Sequence, residues 1–339
     1  MLWTVSIRSR DTLSRVTELG VRDYRLGDEH AIAELFTICF GRTRSMEEWR
    51  WRFADPPTER VDIRVLCDPS GRIVGHIATV GFATSVDGRK TVCRLTGDLM
   101  VHPDFRGRKG VELLVDSGRD LPYDLRLDTP TEGPRKVGER RGILRFHAPL
   151  RQWVRWQGMP IRAVSELARP LRTRVEPLLD PGAEVDALAE ASAEFAPCIR
   201  MRTARYLRWR WLEQPDVDWQ LWAARNRAGV LRGVVAFGLD LRRDSARHGR
   251  VVDLLARDAE SSRVLLMAAA RELGHRGCRI ISFAYQDPRP WSLRACYLAG
   301  FLPRGQGPLF SGGAQQEWTR PLADRFESWY LTLGDTDLC

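Results

Sequence analysis

The sequence has no apolar run of the roughly 18 residues that a membrane-spanning helix needs. Its first residues, MLWTVSIRSRDTLSRV, are interrupted by charges and lack the apolar centre of a secretory signal. These two absences exclude the usual marks of an inserted or exported protein. We therefore expect no membrane contact and a cytoplasmic location.

Cysteines are few and are poorly spaced for cross-linking or metal binding. The seven cysteines, at positions 39, 67, 93, 198, 278, 296 and 339, are odd in number, and no two form a C-x-x-C pair. Such spacing indicates neither a disulfide framework nor a zinc site. We expect reduced, mostly buried thiols and no metal.

Lysine is almost missing: only Lys90, Lys109 and Lys136 occur among 53 basic residues, so nearly all of the positive charge is arginine. The net charge is +9. A nucleic-acid-binding protein commonly gathers its basic residues on one face, whereas here they alternate with acids in stretches such as RDYRLGDEH and RTRSMEEWRWRF. The pattern favours a salt-bridged surface and argues against nucleic acid as a partner, while small anionic ligands remain compatible.

What the chain does have is length for two ordinary domains, with 339 residues of which 43% are hydrophobic. It also contains an internal repeat. WRWRFADPP at 49–57 returns as LRWRWLEQPD at 207–216, with Trp51 matching Trp209 at an offset of 158 residues. GRIVGHIA at 71–78 and GVLRGVVA at 229–236 share a G-x-x-x-G pattern at the same offset. Two copies of one fold are therefore predicted.

Each copy reads in the same order of elements. A helical segment carrying the aromatic motif precedes an antiparallel hairpin of strands, then a strand, a helix, another strand, a second helical stretch and a final strand. Hairpins followed by one strand–helix–strand crossover predict a mixed, mainly antiparallel sheet flanked by helices, an α/β (α+β) fold. The predicted division of the chain is 20–155, a connecting segment 156–194, 195–310, and a tail 311–339.

The stretch VHPDFRGRKG, which lies between a predicted strand and a predicted helix, carries a V-x-P-x-x-R-G pattern. With the element order, it resembles the GNAT superfamily of acyl-CoA-dependent N-acyltransferases, here as a tandem pair. The ending WYLTLGDTDLC is similar to the tail of bacterial tandem GNAT proteins associated with polysaccharide or secondary-metabolite gene clusters. The resemblance implies an acyl-CoA co-substrate, with acetyl-CoA as the expected donor.

The glycine-bearing turn fits a pyrophosphate, because backbone N–H groups at a helix N-terminus offer donors and a favourable dipole. The predicted cofactor-binding residues are Met100, Val101, Arg106, Gly107, Arg108, Lys109, Gly110 and Val111. Lys109 and Val111 stand where the family has small residues, so either the loop is longer than usual or cofactor binding is weakened. The alternative is a surface turn with solvated cations.

The second copy has RDAESSRVLL at the equivalent place, with two acids and no glycine, and would repel a pyrophosphate. The cofactor is therefore assigned to the N-terminal copy, and the C-terminal copy is predicted to be degenerate and to wall the substrate cleft.

The resemblance implies direct attack of an amine on a thioester, for which a base must accept the proton of the amine. Asp98 is the leading candidate, with backbone N–H groups near Met100 and Val101 as oxyanion donors; a satisfied structural carboxylate is the equal alternative. His76 is a second candidate base, although a packed histidine is the better interpretation. Tyr297 is the candidate general acid, or else a structural remnant, because the first copy has no tyrosine at that position.

Two further groups are candidates for the acceptor site. Trp49 and Trp51 offer aromatic surface, although core packing is the better interpretation of their spacing. The tail carries Asp335 and Asp337, which either present carboxylates to a cationic acceptor amine or belong to a segment that seals the core.

The predicted function is N-acyl transfer from acyl-CoA to an amine of a small molecule, such as an amino sugar or a biosynthetic intermediate. The alternative is a catalytically silent protein that binds acyl-CoA or a partner. A narrower variant, transfer from an acyl carrier protein or an aminoacyl-tRNA, is compatible with the basic surface. The acceptor, the acyl length and the oligomeric state do not follow from the sequence.

Overall fold

A computed structural model describes residues 19–58, 60–107, 109–119, 121–158, 173–239 and 248–336. The elements of the first copy are β1 (Gly20–Asp23), α1 (Glu29–Phe40), α2 (Met46–Phe53), β2 (Val61–Cys67), β3 (Ile73–Val86), β4 (Arg89–Val101), α3 (Gly110–Ser117), β5 (Leu125–Asp128), α4 (Glu132–Arg140) and β6 (Phe146–Trp156).

The remaining elements are β7 (Arg174–Pro177), α5 (Ala183–Ser192), β8 (Cys198–Arg200), α6 (Ala204–Leu207) with a π turn at Arg208–Leu212, β9 (Asp218–Arg225), β10 (Leu231–Leu239), β11 (His248–Ala256), α7 (Ala259–His275), β12 (Ile280–Gln286), α8 (Trp291–Leu298), β13 (Leu302–Ala314), α9 (Arg320–Ala323) and β14 (Trp329–Thr332). No described helix is both long enough and apolar enough to cross a membrane, and the six cysteines in the described ranges are free thiols.

Local sequence explains why the elements begin where they do. The side chain of Ser45 caps α2 by accepting a hydrogen bond from the backbone N–H of Glu48 at 3.0 Å. Acids occupy the first turn of α2 and arginines its last turn, an arrangement that the helix dipole favours. Its aromatic residues face inward, and Trp49, Trp51 and Phe53 are all buried.

The strands form one continuous sheet in the order β1-β2-β3-β4-β5-β13-β6-β12-β11-β10-β9-β7, with β8 and β14 off this path. The order is symmetric about its centre, where the last strand of each copy lies next to the sheet of the other. β13 pairs with β5 along Ser311–Asp128 to Ala314–Leu125, and β6 pairs with β12 along Trp156–Ile280 to Arg151–Tyr285. Each copy therefore completes the sheet of the other copy.

β13 can reach β5 because two glycines leave room for it. A Cβ on Gly312 would lie 2.5 Å from the carbonyl oxygen of Arg126, so a side chain there would push the two strands apart. Gly313 has φ +149 and lies against the side chain of Arg145. Glycine is thus required at the junction between the two copies.

The predicted repeat is also visible as a reciprocal contact. The indole N–H of Trp51 donates to the carbonyl oxygen of Trp209 at 2.8 Å, and the indole N–H of Trp209 donates to that of Trp51 at the same distance. The two rings stack with centroids 4.9 Å apart. Equivalent residues of two copies exchange identical bonds only close to a twofold axis, so this pair marks the pseudo-symmetry of the molecule.

Candidate active site

The candidate site lies where β4 and β5 separate. Their parallel pairing ends at Leu95–Leu127, and beyond that point the side chain of Asp128 accepts a hydrogen bond from the backbone N–H of Thr96 at 2.9 Å. A cavity of about 380 Å³ opens at this separation. It is lined by both strands and by α1, α2, α3 and α4, so it has access to both faces of the sheet.

The predicted phosphate turn leads from β4 into α3, one wall of this cavity. Gly107 has φ +78 and Lys109 has φ 61, so the chain reverses through two left-handed residues before the helix begins at Gly110. No side chain caps α3, and its first N–H groups have no partner within the helix because of helix geometry. Free donors of this kind favour an anion.

Gly110 allows the start of α3 to pack closely on the sheet. A Cβ there would lie 2.9 Å from Cδ2 of Leu66, on the strand beneath the helix. Arg106 folds back so that its Nε donates to the carbonyl oxygen of Val101 at 3.3 Å. Met100 and Val101 bury their side chains at the end of β4. Arg108 was also predicted to bind the cofactor, and it lies outside the described residues.

The equivalent turn of the second copy is closed. Asp258 caps α7 by accepting from the backbone N–H of Ser261 at 2.8 Å, so a carboxylate occupies the helix N-terminus. The tail fills the separation between β11 and β12. Residues Leu331 and Thr332 of β14 pair with β12, and the hydroxyl of Tyr330 donates to the carbonyl oxygen of Leu254 on β11.

Asp98 lies at a bulge of β4, with φ 51, and its side chain is buried. Both of its carboxylate oxygens accept from the guanidinium of Arg44, whose side chain is 1% exposed. Burial by itself would raise the pKa of Asp98, but Arg52 and Arg44 outweigh burial and hold that pKa below its usual range. A carboxylate held in this way is a weak proton acceptor, so the geometry favours the structural interpretation of Asp98.

His76 is fully buried, and its Nδ1 lies 2.9 Å from the carbonyl oxygen of Asp98. Burial lowers the pKa of this imidazole, so the neutral form is favoured. The ring packs edge-on against Phe53 and is not part of the cavity wall. The packed interpretation therefore describes its position better than the role of a base.

Tyr297 is distant from this cavity in the fold. It lies on α8 in the second copy, 44% exposed, with its ring edge-on to Trp153 at 5.2 Å. The cavity is lined by residues of the first copy. The prediction that Tyr297 protonates the leaving thiolate has no support in this arrangement, because the tyrosine and the phosphate turn belong to different copies and do not meet.

For three of the candidate acceptor-site residues, the structure favours the alternative interpretation, in which they pack in or seal the core. Trp49 and Trp51 are 6% and 7% exposed and pack in the core instead of lining the cavity. Asp335 is 0% exposed. Its Oδ2 accepts from Arg202 at 2.7 Å and from the backbone N–H of Thr332 at 2.8 Å, so it offers nothing to an acceptor. Asp337 lies outside the described residues.

The sequence analysis missed the charged residues that line the cavity, namely Arg42, Arg44, Arg52, Arg126 and Asp128. One signal was present. A short central parallel strand is normally apolar throughout, whereas β5 reads Leu-Arg-Leu-Asp, with Arg126 and Asp128 directed to one face. The Nε of Arg126 forms an ion pair with Asp128. The partnership of Arg44 with Asp98, 54 residues apart, carries no local signal.

Comparison with known proteins agrees with this geometry. Residues 20–120 match the family described as acetyltransferase (GNAT) domain. A probable N-acyltransferase from Enterococcus faecalis V583 superposes with a TM-score of 0.64 at 11% identity, covering 89% of this chain and 74% of the other. A tandem GNAT protein from the clavulanic acid biosynthesis pathway gives 0.57 at 16% identity, covering 88% and 98%.

N-myristoyltransferase of Saccharomyces cerevisiae, solved with bound myristoyl-CoA, gives a TM-score of 0.53 at 11% identity and covers 90% of this chain and 84% of the other. No curated protein matches the chain significantly. Residues 20–120 thus carry a GNAT acetyltransferase domain, and the chain as a whole has the fold of a tandem GNAT protein. The predicted family and fold class are confirmed.

Proposed function

We propose that this protein is an acyl-CoA-dependent N-acyltransferase, with acetyl-CoA as the expected donor and a small-molecule amine as acceptor, acting in the cytoplasm. One observation carries the proposal. The first copy has an uncapped helix N-terminus beside an open strand separation, whereas the second copy has a carboxylate cap and a tail in the same two places. We propose accordingly that the first copy binds the cofactor and the second copy completes its sheet.

Amine deprotonation follows from the charges in the cavity. The two carboxylates of the described lining, Asp98 and Asp128, are each paired with an arginine. A protonated amine entering among these guanidiniums is destabilised relative to its neutral form, which lowers its pKa. We propose that the acceptor loses its proton to solvent and then attacks the thioester as a neutral amine, with N–H groups near Met100 and Val101 as oxyanion donors. The C–S bond then breaks, the new amide nitrogen gives its extra proton to water, and CoA leaves as a thiolate that takes a proton from water.

Binding is tested by calorimetry with acetyl-CoA. We expect one site per chain, and we expect Arg106→Glu to weaken binding at least about tenfold because it places a negative charge beside the phosphates. Arg257→Glu is the matched control, since Arg257 is exposed at the equivalent turn of the second copy. Two sites, or equal losses in the two variants, would reject the assignment of the cofactor to the first copy.

Deprotonation is tested by measuring kcat/KM against pH for two acceptors whose amines differ in pKa. If solvent takes the proton, the inflection should move with the acceptor; if a residue of the protein takes it, the inflection should stay at one pH for both.

A silent acyl-CoA-binding protein is the second candidate, favoured by the pairing of both cavity carboxylates with arginine. It predicts tight binding of acetyl-CoA without release of free CoA for any amine supplied. Release of CoA that depends on an amine would exclude it.

A further inference from the structure

The cavity between β4 and β5 is richer in cations than in anions. Four guanidiniums line it, those of Arg42, Arg44, Arg52 and Arg126, against the carboxylates of Asp98 and Asp128. Glu48 lies behind the wall and contacts Arg42 and Arg44, at 3.2 and 3.5 Å. Among the described residues, four guanidiniums against three carboxylates leave an excess of positive charge. The side chains of Arg44, Arg52 and Arg126 are 1%, 13% and 8% exposed, and buried charges are poorly screened.

The guanidinium of Arg126 has an unsatisfied hydrogen-bond donor. Its side chain is 8% exposed, and its Nε is taken by Asp128 on the same strand. Its Nη1 is buried with no hydrogen-bond partner among the described residues. A buried guanidinium N–H without an acceptor is costly, so an acceptor oxygen brought into the cavity would relieve a cost that the protein bears alone.

A cationic group of a ligand would find no comparable binding partner in the described cavity wall. Both oxygens of Asp98 face Arg44, and the two oxygens of Asp128 accept from Arg126 and from the backbone N–H of Thr96. The carboxylates of the described cavity wall are therefore already engaged, and a cationic group would find arginine on most sides. The remainder of the wall is mostly apolar, with Phe36, Phe40 and Leu144 among its residues, and it also includes three threonines.

We infer that the cavity accepts a small molecule bearing a carboxylate, which binds at Arg126 while its apolar part packs against the aromatic wall. This inference rests on the proposed function, because the carboxylate belongs to one of the two reactants. It is carried either by the amine acceptor, as in an amino acid, or by the acyl group, as in the coenzyme A thioester of a dicarboxylic acid. A bidentate arginine–carboxylate pair supplies both affinity and orientation.

The test measures equilibrium binding to the full chain in two arms. The donor arm compares succinyl-CoA with butyryl-CoA, which are of similar size and differ in the terminal carboxylate. The acceptor arm compares L-amino acids with their amides in the presence of acetyl-CoA. A preference of at least about tenfold for the carboxylate in one arm is expected, and the arm that shows it identifies the source.

Arg126→Met should abolish that preference, and Arg126→Lys should retain part of it, because the charge stays while the fork is lost. If Arg126→Met does not fold, the lysine variant still measures the contribution of the paired N–H donors of the guanidinium, which lysine lacks. Arg141→Met is the control, because Arg141 forms an exposed ion pair with Asp116 at the end of α4 and is not part of the cavity wall.

Two outcomes overturn the inference. One is binding of acetyl-CoA with no carboxylate preference in either arm, which leaves the proposed function standing. The other is a preference that persists in Arg126→Met. Failure of every acyl-CoA to bind would instead overturn the proposed function, and this inference with it.

Discussion

Lys109 is the residue at which the phosphate turn departs most from an unstrained backbone. Its φ of 61 and ψ of 13 are left-handed, a conformation in which a Cβ crowds the following carbonyl group. The side chain itself is exposed, so packing does not explain a lysine here. Its charge can assist an anion at the helix N-terminus, and this gain would offset the strain.

The strain predicts a difference between two small replacements of Lys109. Lys109→Gly should exceed Lys109→Ala in free energy of unfolding by about 1 kcal/mol, because only alanine retains the left-handed penalty. Both variants remove the charge, so each serves as the control for the other. Urea unfolding followed by circular dichroism measures the difference, and equal stabilities would mean that the turn is not left-handed at this residue.

Asp98 predicts a dependence of stability on pH. Asp98→Asn should lower the free energy of unfolding at pH 7 by about 3 kcal/mol, because it removes the carboxylate that is hydrogen-bonded to the buried guanidinium of Arg44, and Glu48 at 3.5 Å replaces it only in part. The pKa of Asp98 is depressed in the folded state, so its contribution is complete above the unfolded value of about 4 and declines as the pH falls below it. The gap between the two proteins should therefore narrow at pH 3.

Urea unfolding at pH 7 and pH 3 measures that gap. Glu47→Gln is the control, because Glu47 is exposed on α2, the helix beside Arg44, and should cost well under 1 kcal/mol at either pH. A gap of the same size at both pH values would show that the Asp98 carboxylate does not titrate differently in the folded and unfolded protein.

At the scale of elements, the order within each copy followed from periodicity and turn chemistry. The predicted hairpin is formed by β2 and β3 in the first copy, and the predicted strand–helix–strand crossover by β11, α7 and β12 in the second. What periodicity could not provide is pairing between distant strands. Nothing in the local sequence of the last strand of either copy shows that β13 joins β5 and that β6 joins β12.

The candidate site likewise has one part that the sequence could predict and one part that it could not. The phosphate turn could be predicted because its donors are backbone groups of consecutive residues. The cavity wall could not, because Arg44, Asp98 and Arg126 meet only through the separation of two strands and the placement of α2. Whether a charged residue is paired or free depends on those tertiary contacts.

A substitution in the tail tests whether Asp335 seals the protein core or binds the acceptor. Asp335 is buried against Arg202, with Arg200 nearby at 3.4 Å. Asp335→Asn should therefore lower the free energy of unfolding by about 3 kcal/mol while leaving the affinity of the folded protein for acetyl-CoA unchanged. Glu327→Gln, an exposed change just before the same strand, is the control. A raised acceptor KM without loss of stability would restore the substrate role.

At the scale of the whole molecule, the exchange of last strands makes each copy depend on the other. Within the first copy, β5 has β13 as a neighbour, and β6 lies between β13 and β12. The core also crosses the boundary, since Trp51 and Trp209 share one stack and two hydrogen bonds. We therefore expect the two copies, although they are repeats in sequence, to unfold as one cooperative unit.

This dependence is tested by dividing the chain between residues 158 and 173. Segment 19–158 alone should show no cooperative unfolding, because β5 and β6 would expose unpaired edges and the face of Trp51 would be open to water. Segments 19–158 and 173–336 produced together should associate, since pairing restores both edges, and should recover acetyl-CoA binding at one site. Thermal unfolding of each segment and of the mixture, followed by tryptophan fluorescence, gives the answer. A cooperative transition in segment 19–158 by itself would show that the exchanged strands are dispensable.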